Sequence, residues 1–419
     1  MTEEVYSPVS HWRSGLGALC VSFGPLEFFS TRTFIRNSYM NAATVTFGLA
    51  PMEGVSDWAF RLWFSLTGPT PFMSTPFLRA TDSYPKSIPV DFAPEISRLT
   101  APYGLIPQVM ASRPEDFIRA ARLWLDEGAE FVDLNCGCPS PNPVSGGAGS
   151  SLLKTRGGFS EFVQTIANEL PARRFSVKMR TGFDDTDLFY EIIEGLRDIP
   201  LKQLTVHGRT RKDRYDGEAR WDLMDYARRE LPYTVVASGD IVSFDDWETR
   251  RAKYPEIERA IIGRGALRNP WIFTELSTGK AVRMSRHTLI LSLAIFGRIM
   301  DLSYREPLGL EARVRDRLFE TPCGVDEKSW SALWSALGGG DLFSQITERF
   351  AFGRTKMIWN SLRSSLPEEF FAPTLLRSKN LGEFLSTLNT LGPDEFVVTH
   401  NKNLDWLYTS SKKSAISNA

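Results

Sequence analysis

At 419 residues the chain is too long for one small core, so two domains or one large domain with additions are expected. Hydrophobic residues at 42% and charged residues at 24% are ordinary for a soluble globular protein, and no run of eighteen apolar residues suggests a membrane span. Forty-nine Lys and Arg against 50 Asp and Glu neither demand nor exclude a nucleic-acid partner, because a basic face can sit on a neutral protein.

The first convincing strand follows Met40, so residues 1–46 read as an extension of unknown role. Its mildly apolar stretch Ser14–Ser30 has only Arg13 before it, contains Glu27 and lacks a clear small-residue cleavage site, so no secretion signal is expected. Four cysteines (Cys20, Cys136, Cys138, Cys323) without disulfide spacing fit a reducing compartment, and a cytoplasmic monomer is expected.

From Phe47 onward short apolar runs alternate with amphipathic segments. The runs are Phe47–Met52, Pro71–Leu78, Leu105–Ala111, Phe131–Gly137, Phe175–Arg180, Gln203–Gly208, Tyr233–Ile241 and Arg259–Leu267. Between them lie helical patterns such as Arg113–Gly128, where Phe117, Ala121, Leu123 and Leu125 can share a face and Gly128 marks the stop. Such βαβ repetition fits a closed (β/α)8 TIM barrel over residues 47–280 better than an open doubly wound sheet. The Pro-rich crossover Arg79–Gly104 is only weakly helical.

After Asn269-Pro270 the strand alternation stops. Residues 281–395 read as a small all-α domain, with helices over Arg286–Arg305, Leu342–Leu366 and Leu381–Leu391 and a loop-rich insertion at 306–341. The tail 396–419 reads as disordered.

In a parallel barrel the chemistry sits at the C-terminal strand ends. Glycines after strands seven (Ser238-Gly239-Asp240) and eight (Gly263-Arg264-Gly265) let backbone N–H groups approach a phosphate, and Arg264 adds a bidentate cation. Lys178, between apolar neighbours on strand five, should point into the mouth and could stabilise an electron-rich flavin ring; a buried ion pair is the alternative. Gln108 suits the edge of a flavin pyrimidine, and His207, ending strand six, suits a phosphate or ribityl contact. Of the C-x-C pair, Cys138 lies beyond the strand end in a loop leading to Ser145–Ser150, and reads as an acid or nucleophile; no metal site is expected, since no second Cys or His pair accompanies it.

These residues stand in APMEGVSD (50–57), VDLNCGCPS (132–140), GGAGSSLLK (146–154), SVKMRTG (176–182), VHGRTR (206–211), ASGDI (237–241) and IGRGAL (262–267). In that order they resemble the tRNA-dihydrouridine synthases, most closely the bacterial C-type branch that acts at position 16, and GRTKMIWNSLR (353–363) resembles that family's helical RNA-binding domain. The resemblance implies FMN held by Pro51, Met52, Glu53, Gln108, Lys178, His207, Ser238, Gly239, Asp240, Gly263 and Arg264, with NADPH as reductant and Cys138 as proton donor. It implies tRNA as substrate, contacted by Asn135, Arg180, Arg354 and Lys356, and no DNA or membrane partner. Ser238 replaces the family's usual Asn, Met357 a Gln, and Pro76 a Glu on the substrate-facing strand. Two rival readings are an FMN barrel acting on a small pyrimidine and a catalytically silent tRNA-binding protein.

Overall fold

The computed structural model describes residues 45–89, 92–97, 101–139, 147–315, 322–343 and 349–400. The expected extension, all but its last two residues, lies outside these, as do residues 145 and 146 and the tail from 401.

Eight parallel strands close into a barrel in chain order. They are β1 (Thr46–Leu49), β2 (Phe72–Arg79), β3 (Gly104–Met110), β4 (Val132–Cys136), β5 (Phe175–Arg180), β6 (Gln203–His207), β7 (Thr234–Ser238) and β8 (Arg259–Ile262), with β8 returning to pair with β1. All eight expected strands are present. The eighth is shorter than its apolar run because Arg264–Arg268 turns into a helix.

Period-two alternation sorts each strand's side chains between two environments. On β4, Val132, Leu134 and Cys136 join the main core between barrel and helices, whereas Asp133 and Asn135 face the interior. Deep inside, Ala50, Phe72, Ile106, Phe131, Val236 and Ile261 form a separate apolar plug. Above that plug the interior turns polar, which confines the chemistry to the strand ends.

Two sequence features explain local departures. Pro76 has no N–H for the ladder, and the β2–β3 register shifts between Ser74 and Phe77; Thr75 Oγ1 then accepts from the Gln108 N–H at 2.9 Å. Among its described residues, the Arg79–Gly104 crossover holds one short helix, Pro94–Ser97, as its weak pattern suggested.

The helix Trp58–Thr67 is buried along its whole length, between the barrel and the long helix Arg286–Arg305. Trp63 Nε1 donates to the Ser292 carbonyl at 3.0 Å, and its ring meets Phe296 at 4.9 Å. The expected loop-rich insertion at 306–341 is corrected: it carries helices Pro307–Arg315 and Glu327–Ala336. Asp326 caps the second, accepting from the Ser329 N–H, and Gly324 ties this segment to the barrel, its N–H donating to the Leu66 carbonyl. Pro307 opens the first of these helices, and the run Gly338-Gly339-Gly340 follows the second, so neither breaks a helix.

The all-α reading of 281–395 also needs correction. Strands β9 (Val282–Ser285) and β10 (Glu395–Val398) pair antiparallel and join the start of the helical region to its end, with β10 crossing the expected boundary at 395. Four-residue strands are too short to show a period in sequence.

Candidate active site

At the mouth of the barrel, cations outnumber carboxylates. Lys178 and Arg180 rise from β5, Arg209 follows β6 and Arg264 follows β8. Asp240 sits against two of them: its carboxylate pairs with Arg209 at 2.7 Å and lies 3.9 Å from Arg264. Asp240 also accepts from the Ala219 N–H at 2.6 Å, which fixes the loop after β7. Just before it, Gly239 has φ +138, and a Cβ there would lie 2.6 Å from the Ala219 Cβ, so glycine is required.

Concentrated positive charge in a desolvated cleft disfavours further protonation. Burial and then Arg180 push the Lys178 ammonium down to about 8, while burial and the neighbouring Arg209 and Arg268 push Arg264 to about 10. His207 falls well below its ordinary 6.5 through burial and the Arg180, Lys178, Arg209 and Arg264 charges. It is therefore neutral at pH 7, and its Nδ1 is buried without a hydrogen-bond partner. An orphaned buried imidazole nitrogen beside guanidiniums is costly unless a ligand completes the site, and the donors suit an anionic, phosphate-bearing group.

Lys178 gives a pH dependence whose sign is fixed. Its folded value is near 8 and its ordinary value 10.5, so between those limits the unfolded chain binds more protons. Stability of the ligand-free protein should rise with pH across that window and the rise should shrink in Lys178→Met, as urea midpoints near pH 7.5 and near pH 10 would show. An unchanged rise in the variant would remove Lys178 as its source.

Arg180 is 3% exposed, and its guanidinium donates to the carbonyls of Gly137 (2.8 Å), Thr210 (2.8 Å) and Arg214 (2.9 Å). It braces the β4 and β6 loops, which narrows its expected part in binding tRNA. Its neighbour Arg264 stacks on the Tyr215 ring at 4.4 Å. No local pattern in the sequence distinguishes Tyr215, so only the fold reveals it as part of the mouth.

The two cysteines separate as expected. Cys136 is fully buried, and desolvation pushes its thiol well up. Cys138 is partly exposed beyond the strand; its N–H donates to Asn135 Oδ1 at 2.9 Å and its carbonyl accepts from Ser150 Oγ at 2.9 Å. Gly149, at φ +61, makes room for that contact, since a Cβ would lie 3.2 Å from the Cys138 carbonyl oxygen. A Cβ built on Gly137 would lie 3.7 Å from Lys178 Nζ, so this loop runs beside the cationic mouth.

Gln108 departs from expectation. It is 0% exposed, its Nε2 donates to Asp133 at 2.7 Å and its Oε1 accepts from Asn135 at 2.7 Å. Its position is underneath Asn135 rather than at an open flavin edge. Pro51 and Met52 are partly buried beside β1, with Met52 N–H held by Ser56 Oγ at 3.0 Å, and Gly263 packs near Ala50 and Met52. Glu53 is exposed, and partial desolvation raises its carboxyl. Ser238 is buried, its N–H directed at Met224 Sδ at 3.4 Å and its carbonyl accepting from the Gly208 N–H.

Arg354 and Lys356 are corrected as free phosphate-binding cations. Arg354 donates to the Gly54 and Val55 carbonyls and pairs with Asp57 at 2.9 Å, clamping the loop after β1. Lys356 donates to the Leu376 and Ser378 carbonyls, each at 2.9 Å. A helix that packs on both sides uses its cations inward, which charge in sequence does not reveal.

A family model described as dihydrouridine synthase (Dus) matches residues 48–292. A tRNA-dihydrouridine(16) synthase of Shewanella oneidensis is 29% identical over 64% of this chain and 85% of its own length; one of Yersinia pestis is 32% identical over 53% and 73%. A tRNA-dihydrouridine(47) synthase-like protein of Oryza sativa is 34% identical over 46% of this chain and only 28% of its own length, so the match spans about a quarter of that relative. Among solved structures, morphinone reductase aligns with TM-score 0.42 at 10% identity over 57% of this chain and 86% of that one. The family model runs from within β1 through β8, including the mouth with Cys138 and its cations, and the chain belongs to the dihydrouridine synthase family.

Proposed function

We propose that the protein reduces the C5–C6 bond of a D-loop uridine in tRNA, at position 16, with FMN as bound cofactor and NADPH as reductant. The observation that carries this reading is the juxtaposition of a partly exposed, loop-anchored Cys138 with an anion-seeking mouth in a dihydrouridine synthase barrel. FMN, when bound, supplies the hydride that reaches C6 of the base. Arg264, His207 and the backbone at Gly239 and Gly263 would hold its phosphate and ribityl chain. The target base must leave its stack to enter the mouth. Cys138 then donates its thiol proton to C5 as a general acid, and the Lys178 ammonium and the outer edge of Arg180 offset negative charge developing nearby. Position 16 is supported by the relatives of Shewanella and Yersinia, whose names carry it and whose matches cover more of the chain than the rice protein's.

With Arg354 and Lys356 committed internally, the phosphate backbone falls to the rim of the mouth. Lys154 and Arg211 flank the Phe183 ring at 4.4 and 5.0 Å, and Lys212 stands exposed beside them. None of the three has an ion-pair partner among the described residues. Binding to tRNA should therefore weaken steeply with salt, and Lys154→Ala/Lys212→Ala should lower that slope, by about 0.7 to 0.9 for each phosphate no longer neutralised. An unchanged slope places the grip elsewhere.

Arg264→Ala and Lys178→Ala should differ in kind. The first removes a phosphate partner and should yield protein with little flavin absorbance; the second should retain the colour and turn over slowly. A fully flavinated Arg264→Ala protein contradicts a phosphate site after β8. Flavin bands in the purified protein argue against a silent tRNA-binding role, and turnover of free uridine at the rate of tRNA would favour the small-pyrimidine reading.

A further inference from the structure

Beneath the mouth, one chain of hydrogen bonds crosses three adjacent strands. Ser176 on β5 donates to Asp133 Oδ1 on β4 at 2.5 Å, and Gln108 on β3 donates to Asp133 Oδ2 at 2.7 Å. Asn135 Nδ2 donates to Gln108 Oε1 at 2.7 Å, and Asn135 Oδ1 accepts from the N–H groups of Gly137 and Cys138 at 3.0 and 2.9 Å. Strand register makes the first links unavoidable, because Asp133 stands opposite both Gln108 and Ser176.

A carboxylate can only accept and a backbone N–H can only donate. The two amides between them therefore have one orientation that satisfies every bond. Asp133 takes the Gln108 NH2, which turns the Gln108 oxygen to Asn135, which turns the Asn135 oxygen to the loop. We propose that Asp133, held by Ser176, is a positioning residue: through Gln108 and Asn135 it fixes the Gly137-Cys138 backbone and thus the thiol. The inference rests on reading Cys138 as the proton donor. It explains why a carboxylate is kept 3% exposed in a barrel interior with no guanidinium on it. Burial raises the Asp133 carboxyl, while the hydrogen bonds from Ser176 and Gln108 and the charge of Lys178 on β5 favour the carboxylate; the Cys136 thiol, on the opposite face of β4, stays protonated.

Exchanging the two partners tests the relay by its polarity. In Gln108→Glu, two carboxyls meet; with one shared proton the new carboxyl can still donate to Asp133 and accept from Asn135. Loss of that proton as pH rises leaves two facing anions. In Asp133→Asn/Gln108→Glu, the new amide donates to the new carboxylate, which accepts from Asn135, so the order is restored at every pH. The readout is alkylation of Cys138 by N-ethylmaleimide, followed on its own peptide by mass spectrometry and expressed as a ratio to the unsubstituted protein at each pH. Lys178 titrates in all three proteins and feels the charge at position 133, so the ratios are repeated in a Lys178→Met background to remove its part.

Gln108→Glu should match the unsubstituted protein at low pH and react about tenfold faster once the shared proton is lost, the factor carried by one hydrogen bond to a charged group. The exchanged pair should stay near a ratio of one throughout. A flat ratio for Gln108→Glu, or an exchanged pair no slower than it, overturns the proposal. Should Gln108→Glu fail to melt cooperatively, the exchanged pair must still do so; two unfolded proteins also overturn it. Alkylation needs no turnover, so an error in the role of Cys138 shows separately, as an active Cys138→Ala protein.

Discussion

Cys138→Ala is expected to keep its flavin and its affinity for tRNA while reducing uridine about 10² to 10⁴ times more slowly, the usual contribution of a positioned general acid. The thiol lies beyond the strand, whereas the contacts of residue 138 that shape the loop are made by its backbone N–H and carbonyl. Alanine preserves both. Cys136→Ala, by contrast, removes a fully buried side chain from the barrel wall and should cost stability with little change in single-turnover rate. Single-turnover reduction of tRNA by pre-reduced enzyme separates the two variants. A dead Cys136→Ala beside an active Cys138→Ala would reverse the assignment.

The second large effect is structural. Arg61 lies in the fully buried helix between barrel and helical region, with its guanidinium 0% exposed. It pairs with Glu95 at 2.8 and 2.9 Å and donates to the carbonyls of Ser56 and Phe92. Tyr103 Oη donates to the same carboxylate at 3.0 Å, and burial raises its phenol well above the ordinary 10.0. Arg61→Met leaves the Glu95 carboxylate buried without its cation, an imbalance of about 3–5 kcal/mol. Against a typical total of about 5–15 kcal/mol that is a large fraction. Urea unfolding should show it, and Arg61→Met/Glu95→Gln should recover part of the loss because no charge is stranded. A single variant within about 1 kcal/mol of the parent would contradict it, placing the pair among those of little net worth.

The barrel could be read from the chain because parallel strands buried on both faces leave near-continuous apolar runs, and eight such runs alternate with helical patterns. Cys138 was separable from Cys136 by strand parity and by Gly137. Other features were invisible for physical reasons. The Arg349–Leu362 helix presents Arg354 to the loop after β1, a contact between residues about 300 apart that no local pattern encodes. Gln108 looks in sequence like any polar strand residue facing the mouth, yet β-register spends its amide on Asp133 and Asn135. The pairing of β9 with β10 depends on the helical region folding back on itself.

The central claim is tested most directly by incubating the purified, flavin-loaded protein with NADPH and a tRNA transcript that contains only unmodified uridine, then mapping dihydrouridine along the RNA. Dihydrouridine at position 16 of the D-loop, absent with Cys138→Ala, is the expected result. Dihydrouridine at another position would contradict the site assignment, and none at all would contradict the proposed reaction.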